Sequence, residues 1–484
     1  MGANVTDFPM LIGGEMTGSK NGQWLTSVNP ANEQEIGRTP AADAADVNRA
    51  VEAGEAAQPA WNELTVLERG NLLRTVATRL RARAKELLDV EVADTGNTIG
   101  SLRADVEYAA VGLEYYAGLG SEMKGETIPA SSSNLHFTLC EPYGVVGRIT
   151  PFNHPILFAA SRMAAPLMAG NTIVIKPAET SPLSASIFGE ICREVLPKGV
   201  VNIVMGLGNP AGDALVRHPR VKRVAFTGSV ATGMAIQHAA AESGVKNVTL
   251  ELGGKNPLIV FPDVDLDAVA KAAVGGMNFS WQGQSCGSTS RLMVHESVYS
   301  RVLDQVADIT KSLKVGNPAD PSSQMGPVNS ARQYEKVKYY IGQGKEQGAR
   351  LVAGGNRPSG KDFERGYWIE PTIFADVQGD MRIGHEEIFG PVLSVFRWDK
   401  LDDVIKLANS TDYGLTASIW TNDLNTALKT AKRVRSGFVW INQVSAHYIG
   451  VPFGGYGNSG VGREEGLSEL MSYVETKSVN IVLR

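Results

Sequence analysis

The hydrophobic and polar positions along the chain predict a mixed α/β protein. From about Ala44 to Leu88, apolar residues recur at helical spacing in a segment rich in alanine, leucine, glutamate and arginine, which predicts helices. Between Tyr143 and Gly254, helix-like stretches alternate with the short β-branched runs VVGRIT, TIVIKP, VNIVMG, VKRVAFTG and NVTLELGG. This alternation is typical of a parallel sheet, which binds ligands outside the carboxyl ends of its strands.

A second α/β series begins after Asn256. It contains the apolar run PLIVF, a helix through Met277, the turn GQSCGS, the strand RLMVH and a similar run from Pro391. We therefore predict a second α/β domain. Two short pieces fit neither series: Ser131 to Cys140, which alternates like an edge strand, and Ser478 to Leu483. We expect both to pair between subunits, because unpaired strand edges invite such pairing.

Length and composition narrow the class of protein. A chain of 484 residues exceeds one ordinary core, which favours two large domains with a small third element. The net charge of −5, without a long basic run, gives no reason to expect a nucleic-acid partner. The most apolar stretch is interrupted by Arg162, so we expect no membrane segment. The three cysteines form no CxxC pair, which argues against disulfides and bound metal and indicates a cytoplasmic protein.

Cys286 is the first candidate for chemistry. It lies in GQSCGS, between small residues and directly after a helix-like stretch, so a substrate could approach its sulfur closely. A thiolate in such a place is a nucleophile. The alternative is a buried structural cysteine, which is the commoner situation for a lone cysteine.

Two further residues have the chemistry that a cysteine nucleophile requires. Asn153, in PFNHP, follows the strand VVGRIT and is bounded by prolines, so its amide could stabilise an oxyanion; the alternative is ordinary turn chemistry. Glu251 lies inside the apolar strand of LELGG, where burial would raise its pKa towards that of a general base. The alternative is a structural glutamate whose carboxylate is hydrogen-bonded by backbone amides or paired with an arginine.

Two loops after predicted strands suggest a dinucleotide. In KPAE, Lys176 and Glu179 lie where an adenosine ribose would bind, and a carboxylate there favours NAD over NADP. After VAFTG, the run from Gly228 and Ser229 to Gly233 can hold a pyrophosphate through backbone amides at a helix start. This run differs from the three-glycine dinucleotide signature, so by itself it is weak evidence.

Taken in order, these elements resemble the aldehyde dehydrogenase family over nearly the whole chain. The motifs read PFNHP, KPAE, FTGS, ELGGKNP, GQSCGS, EEIFGPV and PFGGYGNSG, and Cys286 follows Glu251 by 35 residues. The resemblance implies NAD-dependent oxidation of an aldehyde to its carboxylic acid, with NADP less favoured. Cys286 would form a thiohemiacetal and then a thioester, Asn153 and the Cys286 amide would form the oxyanion hole, and Glu251 would activate water.

The resemblance also implies roles around the cofactor. By resemblance, Lys176 and Glu179 would bind the adenine ribose, and Gly228 and Ser229 would bind the pyrophosphate. Glu387 would bind the nicotinamide ribose, and Phe389 would contact the nicotinamide ring. Glutamate at position 251 favours hydrolysis over acyl transfer to coenzyme A. Two departures from the family pattern, Gly457 at a common lysine position and Leu467 at a common glutamate position, put a proton relay through them in doubt.

The fold implied is α/β: a Rossmann-like NAD-binding domain, an α/β catalytic domain and a small β element for bridging and oligomerisation. The expected NAD-binding segments are 1–123, 144–254 and 455–477, the catalytic domain is 255–454, and the oligomerisation element is 124–143 with 478–484. Homodimers or homotetramers are expected.

Substrate positions inferred from the resemblance mix aromatic walls with small residues. They are Phe158, Ser280, Trp281, Ser285, His447, Tyr448 and Phe453. They favour an aromatic or medium-sized aldehyde. His447 with Arg162 would instead suit a carboxylated semialdehyde, and a betaine aldehyde or amino-aldehyde is a third option, although no acidic residue stands out. Other classes are a non-catalytic relative, which would lack one of the three catalytic residues, and a thioesterase, which leaves KPAE and EEIFGPV unexplained.

Overall fold

The computed structural model describes residues 6–483. The parts of the predicted NAD-binding and oligomerisation segments that fall on residues 1–5 and 484 lie outside this range. The strands are β1 (Met10–Ile12), β2 (Glu15–Thr17), β3 (Trp24–Val28), β4 (Glu35–Pro40), β5 (Asn134–Pro142), β6 (Val145–Ile149), β7 (Thr172–Lys176), β8 (Val201–Ile203), β9 (Arg223–Gly228), β10 (Asn247–Leu252), β11 (Pro257–Val260), β12 (Arg291–His295), β13 (Arg350–Ala353), β14 (Thr372–Ala375), β15 (Val392–Trp398), β16 (Thr416–Trp420), β17 (Phe438–Ile441), β18 (Gly460–Val461) and β19 (Val474–Val482). The helices are α1 (Ala44–Glu63), α2 (Val66–Ala82), α3 (Ala84–Thr95), α4 (Ile99–Leu119), α5 (Pro155–Ser161), α6 (Ala164–Met168), α7 (Leu183–Val195), α8 (Asp213–Arg217), α9 (Val230–Ser243), α10 (Leu266–Gly276), α11 (Tyr299–Lys311), α12 (Ala331–Glu346), α13 (Arg382–His385), α14 (Leu401–Ala408), α15 (Leu424–Arg433) and α16 (Leu467–Met471).

The five β-branched runs between Tyr143 and Gly254 form one sheet, as predicted. They are β6 to β10, which lie in an eight-stranded sheet ordered β18-β10-β9-β6-β7-β8-β1-β2. The neighbours among β6 to β10 are parallel. Strands β6, β7 and β8 are buried along their whole length, which explains why they read as continuous apolar runs.

The second α/β series forms a separate sheet of seven strands. Its order is β13-β14-β15-β12-β11-β16-β17, and only β13 runs antiparallel to its neighbour. The predicted runs PLIVF, RLMVH and the one from Pro391 are β11, β12 and β15. Each sheet has its own hydrophobic clusters, so the α/β fold class is confirmed. The exact domain boundaries remain predictions.

The two short pieces pair with each other within the chain. Their pairing between subunits stays a prediction. Strands β5 and β19 form an antiparallel ladder from Asn134↔Val482 to Pro142↔Val474. The end of the chain returns alongside β5, so each strand satisfies the backbone hydrogen-bonding groups of the other. The last strand begins at Val474, earlier than the Ser478 that its sequence pattern suggested.

One face of this two-stranded sheet is apolar and open. Leu135 lies opposite Ile481, and Phe137 lies opposite Val479. The exposed fractions of Leu135, Leu139 and Ile481 are 39%, 44% and 43%. A contiguous apolar face of this kind marks a surface that another molecule covers.

Helices α3 and α5 fix the loop that carries Asn153. Helix α5 starts at Pro155, and proline suits the first position of a helix because its missing N–H has no partner there anyway. The next N–H group, that of Ile156, donates to the buried Glu91 carboxylate of α3 at 2.6 Å. The Asn97 side-chain amide, after α3, donates to the Asn153 backbone carbonyl at 2.8 Å. The Asn153 loop is therefore held from both sides.

Candidate active site

Both α/β series contribute residues to one cavity of about 310 Å³. Predicted residues that line it include Cys286 and Glu251, together with the substrate positions Phe158, Trp281, Ser285, His447 and Phe453. Ser280, Tyr448 and Asn153 are not among its lining residues. Tyr448 is 52% exposed, and its hydroxyl accepts a hydrogen bond from Gln443, so it lies outside the cavity that the sequence assigned it to.

The Cys286 loop is held by an asparagine that the sequence analysis did not single out. The Asn256 side-chain amide, in the ELGGKNP motif, donates to the backbone carbonyls of Cys286 at 2.7 Å and Ser288 at 2.9 Å. The backbone N–H of Cys286 has no hydrogen-bond acceptor among residues 6–483. Its sulfur packs against the aromatic cluster of Phe438, Trp440 and Phe453.

Cys286 and Glu251 influence each other's protonation. Glu251 is only 4% exposed; burial and the negative charge of Glu464 raise the pKa of its carboxyl to about 8. Burial and the adjacent Glu251 carboxylate raise the pKa of the Cys286 thiol well above its ordinary value. Neither Glu251 oxygen has a hydrogen-bond partner of ordinary geometry among the described residues. The carboxylate is therefore free to accept a proton from a nearby donor.

Asn153 lies buried beside the cysteine loop. Its side-chain amide donates to the Gln284 backbone carbonyl at 2.9 Å, two residues before Cys286 in the chain. That bond uses one of the two amide hydrogens. The second hydrogen remains available for an oxyanion near the cysteine.

The charged groups around the cavity are paired with one another. The Arg162 guanidinium lies 3.2 Å from Glu464, 2.9 Å from Glu465 and 3.7 Å from Glu469. His447 contacts Glu465 at 3.1 Å. Burial opposes ionisation of Glu465, but His447 and Arg162 outweigh it and lower the pKa of its carboxyl to about 2.

A second pair orders the aromatic wall. The His154 ring lies 2.8 Å from the Asp105 carboxylate of α4, and it packs against the indole of Trp281 with 5.2 Å between ring centroids. Neither His154 nor Asp105 was predicted as a site residue from the sequence. Their only sequence signal is that His154 follows Asn153 in PFNHP.

The two predicted ribose-binding residues lie together at the end of β7. The buried Lys176 ammonium contacts the Glu179 carboxylate at 3.2 Å. Burial lowers the pKa of Lys176, whereas the charge of Lys176 outweighs the effect of burial and lowers the pKa of Glu179. Glu179 therefore stays ionised and partly exposed, as an acceptor for ribose hydroxyls must.

The predicted pyrophosphate loop lies at the start of a full-length helix. Ser229 is the N-cap of α9, and its hydroxyl accepts from the Thr232 N–H at 3.3 Å. A side chain at Gly228 would collide with the Phe226 ring, at 2.4 Å from an added Cβ. The loop thus brings bare backbone to the exposed helix start, which suits an anionic ligand.

The predicted nicotinamide residues adjoin the loop that follows Glu251. The Glu387 carboxylate accepts from the Gly254 N–H at 3.0 Å, and burial raises the pKa of its carboxyl. Phe389 adopts a positive φ of 55° and packs edge-to-face on Phe152. The buried Lys255 Nζ has no hydrogen-bond partner among the described residues, and burial lowers the pKa of its amine to about 7. An unsatisfied amine near a carboxylate fits a site that receives a polar cofactor.

Comparison with known proteins decides the family. The model of the Aldehyde dehydrogenase family matches residues 16–479. The chain belongs to the aldehyde dehydrogenase family. It is 45% identical to aldehyde dehydrogenase tropH of Talaromyces stipitatus, over 96% of this chain and 92% of that protein. It is 41% identical to human retinaldehyde dehydrogenase 3, over 98% and 93% of the two chains.

The family's solved structures share the whole fold. An aldehyde dehydrogenase from Bacillus cereus, solved as its NAD⁺ complex, superimposes with a TM-score of 0.96 at 39% identity, covering 99% of this chain and 97% of that one. PnpE from Pseudomonas sp. WBC-3, in complex with nicotinamide adenine dinucleotide, gives the same TM-score at 39% identity over 98% and 97%. The resemblance inferred from the motifs is therefore confirmed.

The two departures from the family pattern have different structural settings. Gly457 has a φ of +55°, and a Cβ there would lie 2.7 Å from the Asp412 backbone carbonyl, so this aldehyde dehydrogenase has no room for a lysine in the present loop. Leu467 begins α16 and is 41% exposed. Neither position lines the cavity.

No group of three or more histidine, cysteine, aspartate or glutamate side chains within residues 6–483 is arranged to hold a metal ion. Over the same range, no helix is both long and apolar enough to cross a membrane.

Proposed function

We propose that this chain is an NAD-dependent aldehyde dehydrogenase that oxidises its substrate through a thioester on Cys286. The observation that carries the proposal is the placement of the Cys286 thiol beside the unpartnered Glu251 carboxylate in one cavity. The Cys286 sulfur attacks the aldehyde carbon and its proton passes to Glu251. The second Asn153 amide hydrogen and the Cys286 backbone N–H stabilise the oxygen of the thiohemiacetal.

NAD, when bound, supplies the acceptor for the hydride that leaves the substrate carbon. Glu251 releases the thiol proton to solvent and then takes a proton from water, whose oxygen attacks the thioester. The C–S bond breaks, the acid leaves, and the Cys286 thiolate regains a proton from Glu251. Burial of Glu251 keeps its pKa near 8, which suits a base that must both gain and lose a proton around neutral pH.

For the cofactor, we propose that Lys176 and Glu179 hold the adenine ribose, the loop of Gly228 and Ser229 the pyrophosphate, and Glu387 the nicotinamide ribose. The ionised Glu179 would repel a ribose phosphate, which favours NAD over NADP. Phe389 is assigned to the nicotinamide ring. We assign residues 144–254 to the core of the NAD-binding domain and 255–454 to the catalytic domain.

For the substrate, we propose a neutral aromatic or medium-sized aldehyde. A carboxylated semialdehyde would need a free cation, but Arg162 is engaged by three carboxylates and His447 by one. An amino-aldehyde would need a free carboxylate other than Glu251, which serves as the base, and Glu465 is already paired with Arg162 and His447. The cavity of about 310 Å³ is at the small end of ligand pockets, which disfavours a long polyene such as retinal despite the similarity to retinaldehyde dehydrogenase 3.

For assembly, we propose that the apolar face of β5 and β19 packs against a second copy of the chain, giving a cytoplasmic homodimer or homotetramer. The exposed Leu135, Leu139 and Ile481 on this face favour a partner that is permanently bound. Light scattering of a Leu139→Lys variant, beside the wild type, tests this by the mass of the particle.

The reaction is tested by NADH formation from aromatic, aliphatic, carboxylated and amino-aldehydes, with NAD or NADP and with or without coenzyme A. We expect activity with NAD, highest on neutral aldehydes and independent of coenzyme A, and none in Cys286→Ala. Wild-type turnover by Cys286→Ala would rule out the covalent route. NAD binding without oxidation of any aldehyde in the panel would contradict the proposal as a whole.

A further inference from the structure

Besides the Glu251 carboxylate, two neutral polar side chains that line the cavity have no hydrogen-bond partner among residues 6–483. The indole Nε1 of Trp281 and the hydroxyl of Ser445 are both buried, and neither forms a hydrogen bond with any of residues 6–483. Both residues line the cavity that contains Cys286. Buried polar groups are almost always satisfied in native proteins, so two unsatisfied groups in one binding cavity point to polar atoms of the ligand.

The direction of the Trp281 indole is fixed by its surroundings. Trp281 ends a short 3₁₀ turn, Phe279–Trp281, which is flanked by Asn278 and Gln282 at φ values of 54° and 53°. Such left-handed backbone is uncommon outside glycine and persists only when surrounding contacts hold it. On its other side, the indole packs against His154, which Asp105 holds at 2.8 Å. The N–H is therefore a preorganised donor.

Ser445 is held in a comparable way. It has a φ of 52°, and the next residue, Ala446, accepts a hydrogen bond at its carbonyl from the Trp440 indole at 2.8 Å. A serine hydroxyl both donates and accepts, whereas an indole N–H only donates. Together they suit a ligand group that accepts one hydrogen bond and donates another.

The other lining residues restrict which ligands the cavity can bind. Phe158, Phe453 and the ring of His447 supply flat apolar surface, and the ionised side chains are paired with one another. The volume suits a substituted single ring better than an extended chain.

We propose that the substrate is a neutral aromatic aldehyde with a hydroxyl group on its ring. The hydroxyl oxygen accepts from Trp281 Nε1, and the hydroxyl hydrogen is donated to Ser445 Oγ, while the aldehyde carbon faces Cys286. This inference rests on the proposed function and adds a recognition site to it. An ether oxygen at the same place would satisfy only Trp281, because it has no hydrogen to donate.

The test compares kcat/KM for the three positional isomers of hydroxybenzaldehyde with those for the matching methylbenzaldehydes, which are similar in size. In the wild type we expect one hydroxylated isomer to exceed its methyl counterpart by roughly 10-fold or more, since a neutral hydrogen bond contributes about that factor. Trp281→Phe and Ser445→Ala should each reduce this ratio by roughly 10-fold. Ser280→Ala and Tyr448→Phe each remove a hydroxyl that does not line the cavity and should keep the ratio.

The ratio of kcat/KM for the hydroxylated and methylated substrates distinguishes recognition of the hydroxyl from a steric effect. A purely steric role of Trp281 or Ser445 would lower kcat/KM for both substrates together. Calorimetric binding of the same aldehydes to Cys286→Ala, with and without Trp281→Phe, gives a readout that needs no turnover. Two results would overturn this inference and leave the proposed function intact. In one, the wild type oxidises aldehydes but shows no higher kcat/KM for any hydroxylated isomer. In the other, Trp281→Phe and Ser445→Ala leave the ratio unchanged. If the wild type oxidised no aldehyde, the proposed function would fall, and a hydroxyl preference in binding would still support the recognition site.

Discussion

The side-chain amide of Asn256 lies 2.7 Å from the backbone carbonyl oxygen of Cys286 and donates to it. The same amide group also donates to Ser288, while its oxygen accepts from the Thr416 N–H at 3.1 Å. One residue thus ties the cysteine loop to the start of β16. The position of the sulfur depends on this tie, although Asn256 itself carries no chemistry in the proposed reaction.

Asn256→Asp should lower kcat by roughly 100-fold, because a carboxylate keeps the acceptor for Thr416 but loses both donors to the cysteine loop, and small displacements of a nucleophile are costly. The measurement is steady-state NADH formation beside the rate at which iodoacetamide alkylates Cys286. Thermal unfolding checks that the variant is folded. A folded Asn256→Asp with wild-type kcat would show that the loop keeps its position without this tie.

Glu251→Gln should give one turnover of NADH and then stall. The Glu251 carboxylate raises the pKa of the Cys286 thiol, so its removal makes the thiol easier to ionise. In this variant the thiol proton passes to solvent instead of to Glu251, and the first attack proceeds. Hydrolysis of the thioester then lacks its base. Stopped-flow NADH traces and intact-mass detection of an acylated Cys286 measure this. Sustained turnover without a burst would assign the water-activating step to another group.

The rate of the wild type should rise with pH up to and beyond about pH 8. The pKa of Glu251 is raised to about 8, and the base must be a carboxylate, so the active form grows as pH passes that value. Glu464→Gln removes a neighbouring negative charge. The buried Arg148 of β6, which lies 2.7 Å from Glu464, and Arg162 both remain and favour the Glu251 carboxylate. The rising limb should therefore shift to lower pH by roughly 1 unit.

Glu469→Gln is the matched control for that shift. Glu469 also lies against Arg162, at 3.7 Å, but it does not line the cavity. Profiles of kcat against pH for the two variants should differ, with Glu469→Gln close to the wild type. Equal shifts would mean that a disturbed Arg162, rather than the charge of Glu464, sets the profile.

Glu465→Gln should move the substrate preference towards carboxylated aldehydes. The substitution removes the carboxylate that lies 2.9 Å from Arg162 and 3.1 Å from His447. His447 then loses its carboxylate, and Arg162 keeps two of its three, so the local charge becomes more favourable to an anion. We expect the kcat/KM ratio of succinic semialdehyde to benzaldehyde to rise roughly 10-fold, about 1.4 kcal/mol. Glu465→Asp, which keeps the charge, serves as the control. A ratio unmoved by Glu465→Gln would imply that shape rather than charge excludes the semialdehyde.

Local sequence patterns predicted the sheets and the central chemistry. Strands β6 to β10 are recognisable because β-branched runs end in glycine or proline loops, and a parallel arrangement brings those ends to one edge. Glu251 and Cys286 stand out because a carboxylate inside an apolar strand and a thiol among small residues are both unusual. Their meeting in one cavity follows from the loops that leave β10 and α10.

The residues that set the character of the cavity left no such pattern. Arg162 and Glu465 are 303 positions apart. The apolar stretch around Arg162 indicates a buried charge, but it does not show which carboxylate pairs with it. The pairing of β5 with β19 was also missed, since an alternating strand shows that an edge needs a partner but not which strand supplies it. Contacts of this range depend on the assembled fold rather than on neighbouring residues.

Gly457 limits which side chains its loop can accept. Gly457 has a φ of +55°, and a Cβ at this position would lie 2.7 Å from the Asp412 carbonyl oxygen. The present loop therefore has no room for the lysine that is common in the family. A Gly457→Lys substitution alone would therefore strain the loop. A lysine at this position would need a different path of the loop around Asp412.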